Sequence, residues 1–211
     1  MMSCEEVPFP NSVASEVPFP NSVASEDTLY PFPNCKILVI GNICAGKTTL
    51  ALDLHHHLGF PLAILDDFRK QYSDGTIAGD YFACAYLLRA CSGPGPAILE
   101  FSGAGPHAWA VRMALGESDL PCIVILVDTP IDTCIARATI KVFDVPFPDE
   151  WSVPVEQTIQ SLSWQLAEDH VAVFWELGGN CHVLIHRNDQ PIDQLIAEMR
   201  LVFTRGNLVK T

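Results

Sequence analysis

The chain has 211 residues, of which 49% are hydrophobic, and its formal net charge at pH 7 is −13. A single domain of this length can bury a sizeable core. Only 12 residues are Lys or Arg, so nucleic acid, which requires a basic protein face, is not an expected partner. No apolar run approaches the ~18 residues of a membrane span, and the eight cysteines show no Cys-x-x-Cys or zinc-ligand spacing. The composition predicts a cytoplasmic protein without membrane contact.

Residues 1–35 are predicted to form a disordered, Pro-rich repeat tail. The phrase at residues 6–15 recurs unchanged at residues 16–25, and Pro-Phe-Pro-Asn occurs a third time at residues 31–34. The segment is acidic, and proline at this density prevents helices and breaks sheet ladders. We expect the tail to contribute nothing to the core, so that deleting residues 1–33 leaves activity and melting temperature nearly unchanged.

The first apolar run, residues 37–40, leads into a phosphate-binding motif. Gly41, Gly46, Lys47 and Thr48 give the spacing G-x-x-x-x-G-K-T. Such glycines let the backbone N–H groups turn toward an anion, and the helix that follows directs its positive end at the same anion. Lys47 adds charge for the outer phosphates, and the Thr48 hydroxyl can ligate Mg²⁺. The predicted cofactors are ATP and Mg²⁺, and the predicted nucleotide contacts are the nine loop residues Gly41, Asn42, Ile43, Cys44, Ala45, Gly46, Lys47, Thr48 and Thr49.

From residue 36 onward, short apolar runs alternate with helical patterns. The strand-like runs are residues 37–40, 62–65, 97–99, 123–127 and 183–185. The helical patterns cover residues 48–58, 80–90, 108–115, 131–138, 155–175 and 192–203. Buried strands that alternate with helices are typical of a parallel sheet covered on both faces. The sequence predicts a three-layer α/β P-loop NTPase fold with a five-stranded parallel sheet over residues 36–211.

The second predicted strand ends at the adjacent carboxylates Asp66 and Asp67, with Arg69 just beyond. Ligands of such sheets bind at the carboxyl ends of the strands. Asp66 is therefore predicted to be the general base that accepts the proton of an attacking hydroxyl, and Asp67 and Arg69 are predicted to contact the substrate. The pattern leaves open which aspartate is the base, and the same pair can also begin a helix or a turn.

The third predicted strand is followed by Glu100 and then by a glycine-rich turn at residues 103–105. Together with Thr48, Glu100 is a predicted Mg²⁺ ligand, directly or through water, and it is also a predicted substrate contact. An ordinary glycine turn with a chance glutamate explains the same residues equally well. His107, just after the turn, is placed for substrate contact.

The helical pattern after the fourth strand carries Arg137, with Lys141 close behind. Phosphoryl transfer develops negative charge, which a positive side chain can stabilise. Arg137 is the predicted catalytic cation and Lys141 the weaker candidate, and a solvated helix charge is the alternative. The segment that carries these cations is predicted to form a lid, and the Pro-rich residues 143–151 are predicted to lead the chain back from it.

The loop sequence at residues 41–49 resembles that of the deoxyribonucleoside kinases, which typically reads Gly-Asn-Ile-x-Ala/Ser-Gly-Lys-Ser/Thr-Thr. Glu100 lies where that family has Glu-Arg-Ser, although Phe101 replaces the arginine. The Asp66-Asp67-Phe68 stretch is similar to the end of strand two in uridine and nicotinamide-riboside kinases, in which the aspartate is the base. The resemblance implies a P-loop small-molecule kinase with a nucleoside-like acceptor.

The favoured function is therefore phosphoryl transfer from Mg-ATP to a hydroxyl of a small metabolite, with Lys47, Asp66 and Arg137 as catalytic residues. The chain has neither the Asn-Lys-x-Asp of GTPases nor the Leu-Ser-Gly-Gly signature of ABC-type ATPases. The alternative is an NTP-binding switch or an ATPase of the P-loop class without a small-molecule acceptor. A homodimer is compatible with the sequence and is not required by it.

Overall fold

The computed structural model describes residues 32–176 and 181–206, with side chains through Thr204. The described strands are β1 (Lys36–Gly41), β2 (Leu62–Ile64), β3 (Ala97–Glu100), β4 (Cys122–Asp128) and β5 (Cys181–Arg187). The described helices are α1 (Lys47–Leu58), α2 (Leu65–Tyr72), α3 (Ile77–Ser92), α4 (Ala108–Gly116), α5 (Ile131–Ala138), α6 (Val155–Gln165), α7 (Glu168–Glu176) and α8 (Ile192–Gly206). A short 3₁₀ turn at Asp149–Trp151 precedes α6.

The five strands form one sheet in the order β2-β3-β1-β4-β5, and every pairing is parallel. Every residue of β1 is buried, because β1 lies between two neighbouring strands and both faces of the sheet are covered by helices. Leu38 and Ile40 pack into the core on the side of α3, α4 and α7. Ile37 and Val39 pack into the core on the side of α1 and α8. The predicted three-layer fold with a five-stranded parallel sheet is confirmed.

Apart from shifts of a few residues at element ends, two helix assignments differ from the predicted ones. The helix α2 was not predicted, and Leu65 begins it instead of ending β2, because β2 keeps its sheet register only as far as Ile64, opposite Glu100. The helix predicted over residues 155–175 is divided into α6 and α7 at Leu166 and Ala167. The eight largely polar residues of α2 are too few to give a helical apolar pattern, and no Gly or Pro marks the break at Leu166 and Ala167.

Residues 32–35, predicted as the end of the tail, pack against the domain. The Phe32 ring lies edge-on to Phe60 at 6.0 Å and to Phe203 at 5.9 Å between ring centroids. Cys35 is fully buried, and its carbonyl accepts a hydrogen bond from the Ala97 amide. The packed part of the chain therefore begins no later than Phe32, so the expectation that residues 1–33 can be deleted without effect is wrong for this side chain. The prediction for residues 1–31 lies outside the described residues.

None of the helices within residues 32–176 and 181–206 has the length and apolar character needed to cross a membrane.

Replacing Phe32 by Ala is predicted to destabilise the domain. The side chain is partly buried, so its loss should cost about 1–2 kcal/mol, roughly half the value of a fully buried Phe. In a domain of this size that corresponds to a fall in Tm of roughly 3–6 °C. Thermal unfolding followed by circular dichroism measures it.

The repeat provides a matched control, because Phe19 occupies the same Pro-Phe-Pro-Asn phrase in the predicted tail. Phe19→Ala should leave Tm unchanged. An equal loss in both variants would mean that the upstream phrase also packs, and no loss in either would contradict the structural role of Phe32.

Candidate active site

The phosphate loop connects β1 to α1 in a backbone conformation that glycine favours. Gly46 has a φ of 103°, and Cys44 adopts the left-handed region at 59°. A Cβ at Gly41 would lie 3.0 Å from the Val127 carbonyl oxygen, so only glycine fits against β4 without displacement. These residues turn the chain so that α1 begins at Lys47, directly behind the loop.

The N-terminus of α1 has unused hydrogen-bond donors. The amides of Gly46, Lys47 and Thr48 make no hydrogen bond to another described residue, and the first internal bond of the helix is the one from Leu50 N to the Gly46 carbonyl. Free amides at a helix N-terminus form an anion site, and the helix dipole favours the same negative charge. The loop therefore fits a bound phosphate group.

Lys47, Thr48 and Glu100 form a connected polar group beside these amides. Lys47 Nζ donates to the Asn42 carbonyl at 2.9 Å and lies 3.8 Å from Glu100 Oε1. The Thr48 hydroxyl donates to Glu100 Oε2 at 3.2 Å. Burial raises the pKa of the Glu100 carboxyl above its ordinary value, Lys47 opposes the shift, and Asp66 adds to it. A nearby cation would therefore stabilise the ionised form of Glu100.

The side-chain oxygens of Thr48 and Glu100 fit a magnesium ion bound together with a nucleotide better than one bound by protein groups alone. Within the described part of the chain, no three His, Cys, Asp or Glu side chains are grouped closely enough to hold a metal ion. Mg²⁺ is usually bound through one or two protein groups, several waters and the substrate phosphates. Thr48 and Glu100 supply such protein groups, next to the free amides.

Asn42 joins the phosphate loop to α6. Its side-chain amide donates to the Ile159 carbonyl at 2.8 Å and to the Ser163 hydroxyl at 2.7 Å, and its Oδ1 accepts from the Ile43 amide at 2.7 Å. Asn42 is a predicted nucleotide contact, and its side chain is hydrogen-bonded within the protein. Its role in the structure is to position the loop.

The two predicted strand-end carboxylates lie in the first turn of α2, immediately after β2. Asp66 forms an ion pair with Arg69, at 3.0 Å from Nη1. Asp67 makes no hydrogen bond or ion pair with another described residue. Both side chains line the same cleft as the phosphate loop. An acidic first turn also favours the helix electrostatically, which explains why the chain becomes helical here.

A buried ion pair that the sequence analysis missed lies behind these carboxylates. Asp80, fully buried in the first turn of α3, accepts from Arg69 Nε at 2.7 Å and is also bonded to His107 Nε2. Burial opposes ionisation of Asp80, but the hydrogen bonds from His107 and Arg69 outweigh it and hold the pKa of this carboxyl below its ordinary value. Arg69 and His107, both predicted to contact substrate, are therefore held by one buried carboxylate. Asp80 could not be distinguished in the sequence from an ordinary helix-starting acid.

Arg137 contacts the phosphate loop, on the side of the site where the phosphate donor is predicted to bind. It occupies the last turn of α5, and its Nη1 donates to the Cys44 carbonyl of the phosphate loop at 3.1 Å. The predicted lid residues, including Lys141, follow this helix. Lys141 lies farther along the chain, 5.4 Å from the centre of the Phe143 ring.

The predicted catalytic and substrate residues line one cleft of about 1260 Å³. That volume exceeds the ~300–1000 Å³ of a typical single-ligand site, so the cleft has room for a nucleotide and a second small molecule. The structure brings together every predicted catalytic and substrate residue along its walls, which include Lys47, Thr48, Asp66, Asp67, Arg69, Glu100, His107 and Arg137. Aromatic residues absent from the predicted set line the cleft as well, among them Phe147 and Trp151.

The fold and the loop define a P-loop domain with the architecture of the small-molecule kinases. A shikimate kinase from Acinetobacter baumannii, in complex with shikimate, is similar with a TM-score of 0.57 and 19% identity, over 82% of this chain and 96% of that one. A gluconokinase from Sinorhizobium meliloti 1021 is similar with a TM-score of 0.52 and 15% identity, over 85% and 98% of the two chains. A shikimate kinase from Bacteroides thetaiotaomicron is similar with a TM-score of 0.52 and 13% identity, over 82% and 99%. At these identities the likeness concerns the fold alone. It does not confirm the resemblance of the phosphate loop to that of the deoxyribonucleoside kinases.

No protein-family model matches the chain, and no curated protein matches it either.

The glycine turn after β3 generates a stability prediction. Gly103 has a φ of 84°, and a Cβ there would lie 2.5 Å from Ile40 Cβ, inside the core of the sheet. Gly103→Ala should therefore combine backbone strain with a steric clash and cost about 2 kcal/mol or more. Urea unfolding measures the loss.

Gly105 separates the two causes, because its φ of 82° is nearly the same while a Cβ there would meet nothing within 4 Å. Gly105→Ala should cost only the backbone strain, about 1 kcal/mol. Equal losses in the two variants would contradict the contact with Ile40.

Proposed function

We propose that the protein transfers the γ-phosphoryl group of ATP to a hydroxyl of a small metabolite, and that the acceptor is nucleoside-like. The observation that carries the proposal is the arrangement of the cleft. A helix N-terminus with free amides lies beside Lys47, and the carboxylates Asp66 and Asp67 line the same cavity. A phosphate site facing a candidate base, with space for two molecules, matches the needs of phosphoryl transfer.

On the donor side, the chain's own groups bind and neutralise phosphate charge. Lys47 and the amides of Gly46 and Thr48 hold the outer phosphates, and Thr48 and Glu100 hold Mg²⁺. Bound Mg-ATP supplies the phosphoryl group and a leaving group whose charge the metal ion reduces. Arg137, already in contact with the loop, adds positive charge where negative charge develops.

On the acceptor side, Asp66 takes the proton of the attacking hydroxyl. Arg69 holds Asp66 Oδ1 at 3.0 Å and leaves the other carboxylate oxygen to accept a proton. Asp67 is the alternative base, since it lines the cleft without a bonded partner among the described residues. In either case the base belongs to the first turn of α2 and is fixed relative to the sheet by β2.

The nucleoside-like acceptor is supported by two features. The sequence of the phosphate loop resembles that of the deoxyribonucleoside kinases. In addition, Phe147 and Trp151 line the cleft with rings whose centroids are 6.0 Å apart, and such rings offer apolar faces to a planar base.

Lys47→Ala should abolish turnover without unfolding the protein. The lost cation contacts the outer phosphates, so kcat should fall by at least about 100-fold, as on removal of one electrostatic stabiliser in other enzymes. Transfer of labelled phosphate from ATP and a thermal melt are the two measurements. Arg187→Ala is the charge-matched control, because among the described residues this exposed side chain pairs with Asp128 alone, outside the cleft. Turnover retained in Lys47→Ala would refute the mechanism.

Asp66→Asn and Asp67→Asn form an isosteric pair that identifies the base. Loss of the base should lower kcat by about 100-fold or more, with ATP affinity changed much less. We expect this effect for Asp66→Asn and a smaller one for Asp67→Asn. The reverse order would assign the base to Asp67, and normal kcat in both variants would exclude general-base catalysis by either residue.

A further inference from the structure

We propose, on the basis of the kinase function inferred above, that the acceptor carries no anionic group. The relevant surface, called here the acceptor half, is the part of the cleft lined by Asp66, Asp67, Arg69, His107, Phe147 and Trp151. Its selectivity arises from the way in which its one arginine is bonded.

Two carboxylates compensate the charge of Arg69. Asp80 accepts from Nε at 2.7 Å and Asp66 accepts from Nη1 at 3.0 Å, so the guanidinium contacts both acids at once. The three groups together carry a formal charge of −1. Asp80 remains ionised, because its hydrogen bonds lower the pKa of the carboxyl.

The side chain is also enclosed. Arg69 is 14% exposed, and its Cζ lies 5.3 Å from the centre of the Phe147 ring. A carboxylate or phosphate on the acceptor would have to displace Asp66 from the guanidinium or approach a cluster that is already negative. Both routes are unfavourable, since a like charge at close range in a partly buried site costs more than it does in water.

The other cations that line the cleft are engaged elsewhere. Lys47 and Arg137 contact the phosphate loop on the donor side. Lys70 pairs with Asp144 at 2.9 Å, and Lys141 lies over the Phe143 ring. Each Lys and Arg that the structure describes along the cleft thus has a contact of its own, and Arg69 is the one among them that pairs with two carboxylates.

An uncharged acceptor finds better partners. Hydroxyl groups can donate to Asp66 and Asp67, and a ring can pack on Phe147 and Trp151. His107 is 2% exposed, its Nε2 is engaged by Asp80, and its Nδ1 has no hydrogen-bond partner among the described residues. The chemistry matches a ring-bearing polyol. It differs from the carboxylates shikimate and gluconate, whose names occur in those of the structurally similar kinases.

The first test measures transfer from ATP to pairs of acceptors that differ in one negative charge. Suitable pairs are glucitol and gluconate, shikimic acid methyl ester and shikimate, and uridine and orotidine. In each pair that reacts, kcat/KM should be at least about 10-fold higher for the uncharged member, as expected for one unfavourable charge contact. Preference for the anionic member would overturn the inference and leave the kinase function intact.

The second test measures binding and is independent of turnover. Asp66→Asn removes one of the two carboxylates that hold Arg69, at a half-exposed position where folding should tolerate it. In calorimetric titrations, gluconate and shikimate should bind Asp66→Asn at least about 10-fold more tightly than the wild type. The affinities for glucitol and for the methyl ester, which carry no charge, should change by less than about 3-fold in the same comparison.

Unchanged affinity for the anions in Asp66→Asn would overturn the inference, because compensation of Arg69 would then not control anion binding. If no acceptor of the panel receives phosphate and ATP is only hydrolysed, the proposed kinase function fails, and the binding comparison alone decides the charge selectivity of the cleft.

Discussion

The parallel pairing of β1 with β3 on one side and β4 on the other is the constraint on which the site depends. The register sets Val39 opposite Glu100 and Gly41 opposite Val127, so the carboxyl ends of these strands meet at one edge of the sheet. At this edge the phosphate loop, Glu100 and the start of α2 lie close together, although they are far apart along the chain. The side-chain bonds of Lys47, Thr48 and Asn42 then fix the loop relative to β3 and α6.

The distribution of charge gives the cleft two different halves. The chain has 25 acidic residues against 12 Lys or Arg, and the few cations are placed selectively. Lys47 and Arg137 contact the phosphate loop, where a triphosphate would bring negative charge. Arg69 is bonded to Asp66 and Asp80, so the other half offers carboxylates and rings instead of a free cation. An acidic protein can bind a polyanion in this way because only one part of its surface is locally positive.

The sequence was sufficient to predict features that depend on local pattern. The spacing from Gly41 to Thr48 and the alternation of apolar runs with helices predicted the loop, the parallel sheet and the walls of the cleft. The rule that ligands bind at strand ends pointed to Asp66 and Glu100, and both line one cleft together with His107, while the roles assigned to these residues stay predictions. Long-range pairings were not predictable, because they depend on packing between elements. In the sequence Asp80 resembles any first-turn acid, and only the structure shows Arg69 and His107 around it. The hydrogen bonds of the Asn42 side chain to α6 likewise depend on the packing of that helix.

The central claim is that the cleft transfers phosphate to an acceptor and does not merely hydrolyse ATP. The most direct measurement is ³¹P NMR of the protein with Mg-ATP and a pool of uncharged nucleosides, sugars and cyclitols. Phosphoryl transfer to an acceptor should produce a new phosphomonoester resonance that grows in step with ADP. Conversion of ATP to ADP and inorganic phosphate, with no phosphomonoester at any stage, would contradict it.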